Sequence, residues 1–218
     1  MALIGSDRVR AVVGLGVSGL SCAKFLASKG LDFYVVDSRE LPPGLDEIKS
    51  IVPSERIFTG NLDALLTLPV TELFVSPGVA LAEPVLQTLA QNGVLMRGDV
   101  DLFCEHIDAP LIAITGSNAK STVTTMVADI LLALGNNVQV GGNLGRPALD
   151  LLGKQPDYYV LELSSFQLET TQVLNAEVAC ILNVSEDHMD RYDSLYDYQR
   201  VKQKVYRNCK SAVCNKQD

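Results

Sequence analysis

The 218-residue sequence predicts an α/β fold with two parallel sheets, a Rossmann-like first domain followed by a P-loop-type second domain. In the first domain, an apolar strand at 9–14 runs into the glycine pattern Gly14–Gly19 and then into a helix. In the second, the apolar strand Leu111–Thr115 runs into a small polar loop and another helix. Strand, loop and helix in this order form the phosphate-binding units of parallel sheets.

The glycine pattern of the first domain is followed by a helix ending near Gly30, a strand at 33–36 and then Asp37. An acidic residue about 20 residues after such a pattern is typical of dinucleotide-binding units. The glycines permit close approach of a diphosphate, and Asp37 could accept hydrogen bonds from a ribose or a base. We interpret this layout as a phosphate site, with NAD as one candidate ligand and a purely structural turn as the alternative.

A second small-residue loop, Ser76-Pro77-Gly78, follows the predicted strand at 72–75. Ligands of open parallel sheets collect at the carboxyl ends of the strands, so this loop is expected to border the same pocket. An ordinary turn set by proline and glycine explains it equally well. A helix at 84–92, a strand at 94–97 and a segment through Phe103 complete the unit. Asp108-Ala109-Pro110 is interpreted as a linker, which gives predicted domains at 1–108 and 109–218.

The loop Gly116–Thr122 is the predicted ATP-phosphate loop of the second domain. Lys120 would reach the outer phosphates, and Ser121 or Thr122 would place a hydroxyl on Mg²⁺. The alternative is an ordinary turn with a surface lysine. The loop residues predicted to bind ATP are Gly116, Ser117, Asn118, Ala119, Lys120, Ser121 and Thr122.

The loop departs from the general P-loop pattern, because Ile114 and Ala119 stand where glycines are expected. An alanine is tolerated beside Lys120 only if the backbone there avoids positive φ.

Three charged residues of the second domain are candidates for a metal site. Glu162 lies in a predicted apolar strand at 158–163, where a buried carboxylate needs a cation or donors; an edge or solvent-facing position is the alternative. His188, one of two histidines, follows a strand at 177–183 and could bind a metal or remain a solvated loop residue. Lys202 lies on the apolar stripe of the last helix, so it snorkels to solvent, pairs with an anion or is chemically changed.

Composition excludes several functional classes. A net charge of −8 argues against nucleic-acid binding, and no segment is apolar and long enough to insert in a membrane. Asp7, Arg8 and Arg10 precede the first apolar strand, which is not the layout of a cleaved signal peptide, so a cytoplasmic protein is expected. The five cysteines form no C-x-x-C pair and are expected to be reduced and mostly buried.

Taken together, the motifs resemble those of the Mur ligases of bacterial cell-wall synthesis, most closely the members that add D-glutamate. The resemblance extends along the whole chain and rests on motifs that occur in the family's order. These motifs are Gly14–Gly19, Asp37-Ser38-Arg39, Ser76-Pro77-Gly78, Thr115–Thr122, Gly142–Gly145, Glu162–Leu168 and Asp187–Tyr192.

The resemblance implies a role for each motif. The UDP part of the substrate would lie against Leu15, Gly16, Val17, Ser18, Asp37, Ser38, Arg39, Ser76, Pro77 and Gly78. The metal ligands for two Mg²⁺ ions would be Ser121, Thr122, Glu162, His188 and Lys202, the last as a carbamate. The residues nearest the chemistry would be Lys120, Asn143, His188 and Lys202.

The implied reaction is ATP-dependent amide formation between UDP-N-acetylmuramoyl-L-alanine and D-glutamate, through an acyl phosphate, by a monomer. Family members are longer, so we expect the central domain to be truncated, the C-terminal domain to be absent and this chain to be inactive alone. A catalytically dead nucleotide-sugar-binding module is an alternative. An NAD-dependent oxidoreductase is another, although it leaves Lys120, Glu162 and Lys202 unexplained.

Overall fold

The computed structural model describes residues 8–216, and the chain divides between Asp99 and Val100 into two compact units. The division lies before the predicted linker at 108–110, at the start of the helix α4 (Asp99–Cys104). Asp7, one of the charged residues ahead of the first apolar strand, and the outermost residues of both predicted domains lie outside the described residues.

The first unit contains a five-stranded sheet in the order β3-β2-β1-β4-β5, with every pairing parallel. Its strands are β1 (Arg10–Val13), β2 (Phe33–Asp37), β3 (Ile57–Thr59), β4 (Glu72–Val75) and β5 (Leu95–Arg97). Its helices are α1 (Val17–Ser28), α2 (Leu45–Lys49) and α3 (Pro84–Gln91). The central strands β1 and β4 are buried along their whole length, as expected where helices cover both faces of a parallel sheet.

The second unit contains another five-stranded parallel sheet, in the order β10-β9-β6-β8-β7. Its strands are β6 (Leu111–Thr115), β7 (Val138–Gly142), β8 (Tyr158–Glu162), β9 (Val178–Ile181) and β10 (Ser211–Cys214). After α4 its helices are α5 (Lys120–Ala133), α6 (Ser165–Thr170) and α7 (Leu195–Gln203). The α/β class and the two-sheet organisation predicted from the sequence are confirmed.

Two helices differ from the sequence expectation. Helix α6 was not predicted, because six residues are too few to show a periodic pattern; a capping box between Ser164 and Gln167 starts it. Helix α5 begins at Lys120, although the apolar spacing in the sequence becomes helical only from Val123. Within that spacing, Val123, Val127 and Leu131 pack against the sheet core, whereas Met126, Ile130 and Leu134 are exposed.

The structure bears on the expectations about membrane spans and cysteines. Within residues 8–216, every helix falls short of the length and apolar character needed to cross a bilayer. All five cysteines are free, as predicted. The expectation that most of them are buried is wrong, since only Cys22 is buried and Cys214 is exposed.

Candidate nucleotide and metal site

The predicted phosphate loop lies between β6 and α5, at the carboxyl edge of the second sheet. Thr115 closes the strand by donating its hydroxyl to the carbonyl oxygen of Leu163, at 2.7 Å. A side chain at Gly116 would bring its Cβ to 3.1 Å from the Cβ of Leu182, closer than ordinary van der Waals contact. The amine of Lys120 turns back to the carbonyl oxygen of Ser117, at 2.9 Å.

The condition given for an alanine beside Lys120, a backbone that avoids positive φ, is not met at Ala119. Ala119 has φ of +62° and serves as the N-cap position of α5, where no side chain caps the helix. An alanine in this left-handed region costs roughly 1–2 kcal/mol because its Cβ crowds the following carbonyl. The loop therefore keeps the glycine-type backbone despite the substitution, and this preserves the register of Lys120 and Ser121.

A second loop, which follows β9, is hydrogen-bonded to the phosphate loop. The backbone N–H of Ser117 donates to the Asn183 carbonyl at 2.9 Å, and the N–H of Asn118 donates to Asn183 Oδ1 at 2.8 Å. The Ser117 hydroxyl donates to the Ser185 carbonyl and accepts from the Ser185 N–H, both at 3.0 Å. Asn183 and Ser185 are not among the predicted site residues, because their role depends on two strands that are adjacent only in the sheet.

Glu162 is buried, with 2% of its surface exposed, at the end of β8 between β6 and β7. Its carboxylate accepts a hydrogen bond from Ser121 Oγ at 2.7 Å and another from Asn143 Nδ2 at 2.6 Å. The edge-strand alternative is therefore wrong. Gly142 brings Asn143 into place, because a Cβ there would lie 2.3 Å from the Glu162 carbonyl oxygen.

Lys202 is 1% exposed, and its amine donates to the carbonyl oxygen of Gly116 at 2.8 Å. The amine also lies 4.6 Å from the centre of the Tyr198 ring. Burial, reinforced by the positive charge of Lys120, lowers the pKa of Lys202 to about 8, although Asp187 acts in the opposite direction. Snorkelling, one of the alternatives above, is therefore wrong.

Tyr198 connects helix α7 to the phosphate loop, since its hydroxyl lies 3.2 Å from Ser117 Oγ. Burial raises the pKa of Tyr198, and the hydrogen bond to Ser117 offsets part of that effect. In the sequence, Tyr198 belongs to the same apolar stripe of the last helix as Lys202, and this periodicity does not reveal what the Tyr198 hydroxyl contacts.

His188 is an exposed residue of the segment that follows β9. Its side chain is 44% exposed, its Nε2 lies 3.5 Å from Asp187 Oδ2, and its backbone φ is +56°. Within residues 8–216, no three His, Cys, Asp or Glu side chains form a group able to hold a metal ion. Ser121, Asn143 and Glu162 thus form one cluster and Lys202 contacts the same loop, whereas Thr122 is exposed and His188 follows the Asn183–Ser185 segment.

The glycine turn of the first unit is built as its sequence pattern predicts. Gly14 has φ of +88°, and a Cβ on Gly19 would lie 1.8 Å from the Gly14 carbonyl oxygen. The hydroxyl of Ser76 donates to that same carbonyl at 2.6 Å, so the Ser76 loop does border the turn. Gly16 has open space around its Cβ position, which leaves room for a ligand.

Asp37 is buried, and its carboxylate accepts from the N–H of Leu15 at 2.6 Å and from Arg39 Nη2 at 2.7 Å. Burial alone would raise the pKa of Asp37, but the hydrogen bonds from Arg39 and Leu15 outweigh it and hold the pKa below its ordinary value. The carboxylate therefore fixes the glycine turn and the exposed Arg39. Gly16 precedes α1 and Val17 and Ser18 begin it, Ser38 follows β2, and Pro77 and Gly78 follow β4. Val17, Ser38 and Gly78 are exposed.

Both units match models of one protein family. Residues 8–98 match the "Mur ligase MurD-like, N-terminal domain" and residues 114–218 match the "Mur ligase middle domain". The chain therefore belongs to the Mur ligase family.

Curated relatives of the chain carry the name of one kind of ligase. The chain is 53% identical over all of its 218 residues to the UDP-N-acetylmuramoylalanine–D-glutamate ligase of Marinobacter nauticus, of which it covers 49%. It is equally identical over its whole length to the enzyme of the same name from Pseudomonas putida, of which it covers 48%. The chain thus spans about half the length of the curated relatives it matches.

Solved structures of other Mur ligases share the fold. The UDP-N-acetylmuramate:L-alanyl-γ-D-glutamyl-meso-diaminopimelate ligase of Neisseria meningitidis aligns with 97% of this chain and 72% of its own, with a TM-score of 0.59 and 15% identity. The UDP-N-acetylmuramate-alanine ligase MurC of Thermotoga maritima aligns with 96% of this chain and 49% of its own, with a TM-score of 0.55 and 20% identity.

Proposed function

We propose that this chain is the part of a D-glutamate-adding Mur ligase that binds the UDP-linked substrate and the phosphates of ATP. The main observation in support is the Glu162, Ser121 and Asn143 cluster beside an uncapped helix start, in a chain 53% identical to ligases of that name. We propose the complete activity, ATP-dependent amide formation, for the whole protein. We expect the 218-residue chain alone to make no amide bond.

The phosphates of ATP would lie at the start of α5. The first backbone N–H groups of a helix have no partner within the helix, and the helix dipole is positive there. The N–H groups of Ser117 and Asn118 already donate to Asn183, so those of Lys120, Ser121 and Thr122 would face the phosphates. Lys120 would move its amine from the Ser117 carbonyl to the outer phosphates.

The residues around Glu162 fit Mg²⁺, because the carboxylate of Glu162 and the hydroxyl of Ser121 are hard oxygen donors 2.7 Å apart. Thr122 is an alternative hydroxyl donor, and His188 would join a second Mg²⁺. When bound, these ions would neutralise charge on the phosphates. Asn143 would hold Glu162 in orientation or meet the reacting carboxylate.

Lys202 is suited to carbamylation, which requires a neutral amine to attack CO₂ and then release a proton. Its lowered pKa of about 8 provides a larger neutral fraction near pH 7 than an ordinary lysine has. The product would be a carboxylate beside the phosphate loop, able to bind Mg²⁺ and to reduce the repulsion from Lys120.

The UDP part of the substrate would lie on the first unit, with its diphosphate beside Gly16–Ser18 and its base near Arg39. The alanyl carboxylate would attack the γ-phosphorus of ATP and release ADP. The amine of D-glutamate would then displace phosphate from the acyl carbon and lose a proton. In this scheme the residues of the chain bind and orient, and Lys120 stabilises the charge on the transferring group. We propose that the protein acts as a cytoplasmic monomer.

Isothermal titration with UDP-N-acetylmuramoyl-L-alanine tests the proposal, with NAD as the competing ligand. We expect saturable binding of the UDP-linked substrate and none of NAD. Binding of NAD without binding of the UDP-linked substrate would favour the oxidoreductase alternative. D-glutamate-dependent phosphate release by the 218-residue chain would show that the expectation of inactivity is wrong.

A further inference from the structure

His188 has a feature that metal binding alone does not explain. It adopts a left-handed backbone conformation, with φ of +56°, although it is not a glycine. Such a conformation persists only where surrounding contacts maintain it, and it is frequent at functional sites. Two contacts surround this residue: the Arg191 N–H donates to the His188 carbonyl oxygen at 2.9 Å, and the centres of the His188 and Phe166 rings are 4.6 Å apart.

Phe166 is in turn held by two residues of the loop after β9. The guanidinium of Arg191 lies over the Phe166 ring, 4.2 Å from its centre, as in a cation–π contact. The Tyr192 ring stacks near it, with centres 6.3 Å apart and planes 24° apart. Phe166 is therefore in contact with His188, Arg191 and Tyr192, which all belong to one short segment.

Glu169 fixes both of the residues that hold Phe166. One carboxylate oxygen accepts from Arg191 Nη2 at 2.7 Å, and the other accepts from the Tyr192 hydroxyl at 2.6 Å. The side chains of Arg191 and Glu169 are only 15% and 11% exposed, so water screens this ion pair less than a surface pair. The amine of Lys204 also donates to the backbone carbonyl of Glu169, at 2.5 Å, which ties the end of α6 in place.

The ion pair of Glu169 and Arg191 is arranged to position neighbouring side chains and not to react. Both oxygens of Glu169 are engaged within the protein, and the guanidinium of Arg191 is occupied by an aromatic face and a carboxylate. Arginine suits this place because its planar group can stack and form an ion pair at once, which a lysine ammonium does less well.

We propose that Glu169, Arg191 and Phe166 are positioning residues that set the orientation of the His188 ring at the carboxyl edge of the second sheet. This inference rests on the proposed function and deepens it, because the orientation would present the His188 imidazole to a metal ion bound with ATP.

The chain has only two histidines, so ring-labelled histidine gives one signal from His188 and one from His106 as an internal reference. The test records proton–carbon NMR spectra of the 218-residue protein and of E169Q, R191K and F166L. We expect the His188 ring signals to move by more than their linewidth in all three variants, because the Phe166 ring current no longer acts at the same place. The His106 signals should stay unchanged.

Two further variants separate positioning from general loss of structure. E177Q breaks the surface ion pair between Glu177 and Lys210, which measures 2.7 Å, and should leave His188 unchanged. F166Y keeps the aromatic face, so its His188 signals should match those of the wild type and not those of F166L. Unchanged His188 signals in both E169Q and R191K would overturn the proposal.

A second measurement adds Mn²⁺ and ATP and compares the broadening of the two histidine signals. The wild type should show preferential broadening of His188, and E169Q and R191K should reduce it severalfold. If His188 shifts in the variants but is never broadened in the wild type, the positioning inference stands and the proposed metal role of His188 fails. If the His188 signals of E169Q and R191K are broadened as in the wild type and are not shifted, the positioning inference fails instead.

Discussion

At the residue scale, Lys202 is a lysine buried within the second unit. Its amine is almost fully buried and shares the phosphate loop with Lys120, so the protonated form is disfavoured in the folded state. Between about pH 8 and the ordinary lysine value near 10.4, the unfolded chain therefore binds more protons at this position than the folded chain. Stability contributed by this residue must rise with pH across that window.

We predict that K202M removes this pH dependence. The free energy of unfolding of the wild type should increase relative to that of K202M by about 2 kcal/mol between pH 7 and pH 10, since one pKa unit corresponds to roughly 1.4 kcal/mol. Urea unfolding at both pH values, in buffer free of CO₂, measures the difference. K210M, at an exposed lysine on the surface, is the control and should parallel the wild type. A constant difference between wild type and K202M would contradict the prediction.

Ala119 provides a second prediction at this scale. Because its φ is +62°, we expect A119G to stabilise the protein by about 0.5–1 kcal/mol, since glycine removes the Cβ crowding but increases the entropy of the unfolded chain. A133G, at an exposed position with negative φ in the same helix, should instead destabilise it by up to about 1 kcal/mol. Denaturation midpoints of the two variants should therefore move in opposite directions. Equal destabilisation by both would mean that Ala119 is not strained.

At the element scale, the turn from β1 into α1 shows how close backbone approach is obtained. A Cβ on Gly19 would meet the Gly14 carbonyl at 1.8 Å and Ser76 Oγ at 2.4 Å, whereas one on Gly16 would meet nothing within 4 Å. The third glycine of the pattern is thus needed for helix packing, and the second leaves space for a ligand.

This contrast predicts that G19A and G16A separate folding from binding. G19A should destabilise the first unit by about 3 kcal/mol, because backbone must move to admit the methyl group. G16A should change stability by less than about 1 kcal/mol and weaken binding of the UDP-linked substrate at least tenfold. Far-UV circular dichroism in urea and isothermal titration measure the two effects. Tight substrate binding by a stable G16A would contradict the proposed diphosphate position.

Much of the fold could be predicted at this scale, because buried parallel strands are continuous apolar runs that end at glycine-rich loops. The strands around Asp37 and Glu162 were predicted this way. What could not be predicted depends on contacts between distant segments, such as the hydrogen bonds from the phosphate loop to Asn183. The left-handed conformation of Ala119 was also inaccessible, because residue type alone favours the opposite sign of φ.

At the scale of the whole molecule, the two compact units carry separate candidate sites, the glycine turn in the first and the phosphate loop in the second. This separation predicts that each ligand protects its own unit from hydrogen exchange. The UDP-linked substrate should slow exchange in peptides covering Gly14–Gly19, and Mg²⁺ with ATP should slow it in Gly116–Thr122 and at Asn183. Exchange measured by mass spectrometry checks both. Protection of Gly14–Gly19 by ATP would contradict the assignment.

The parallel pairing of the strands also has a kinetic consequence. In residues 8–216 every strand pairing is parallel, so no pair can be closed by a hairpin turn. The contact between Ser76 and Gly14, for example, joins residues 62 apart in the chain. Loop-closure entropy must be overcome before any such contact forms, which slows folding. A newly made chain therefore exposes its apolar strands for longer than a helical bundle of equal size, and we expect its yield on refolding to fall as protein concentration rises.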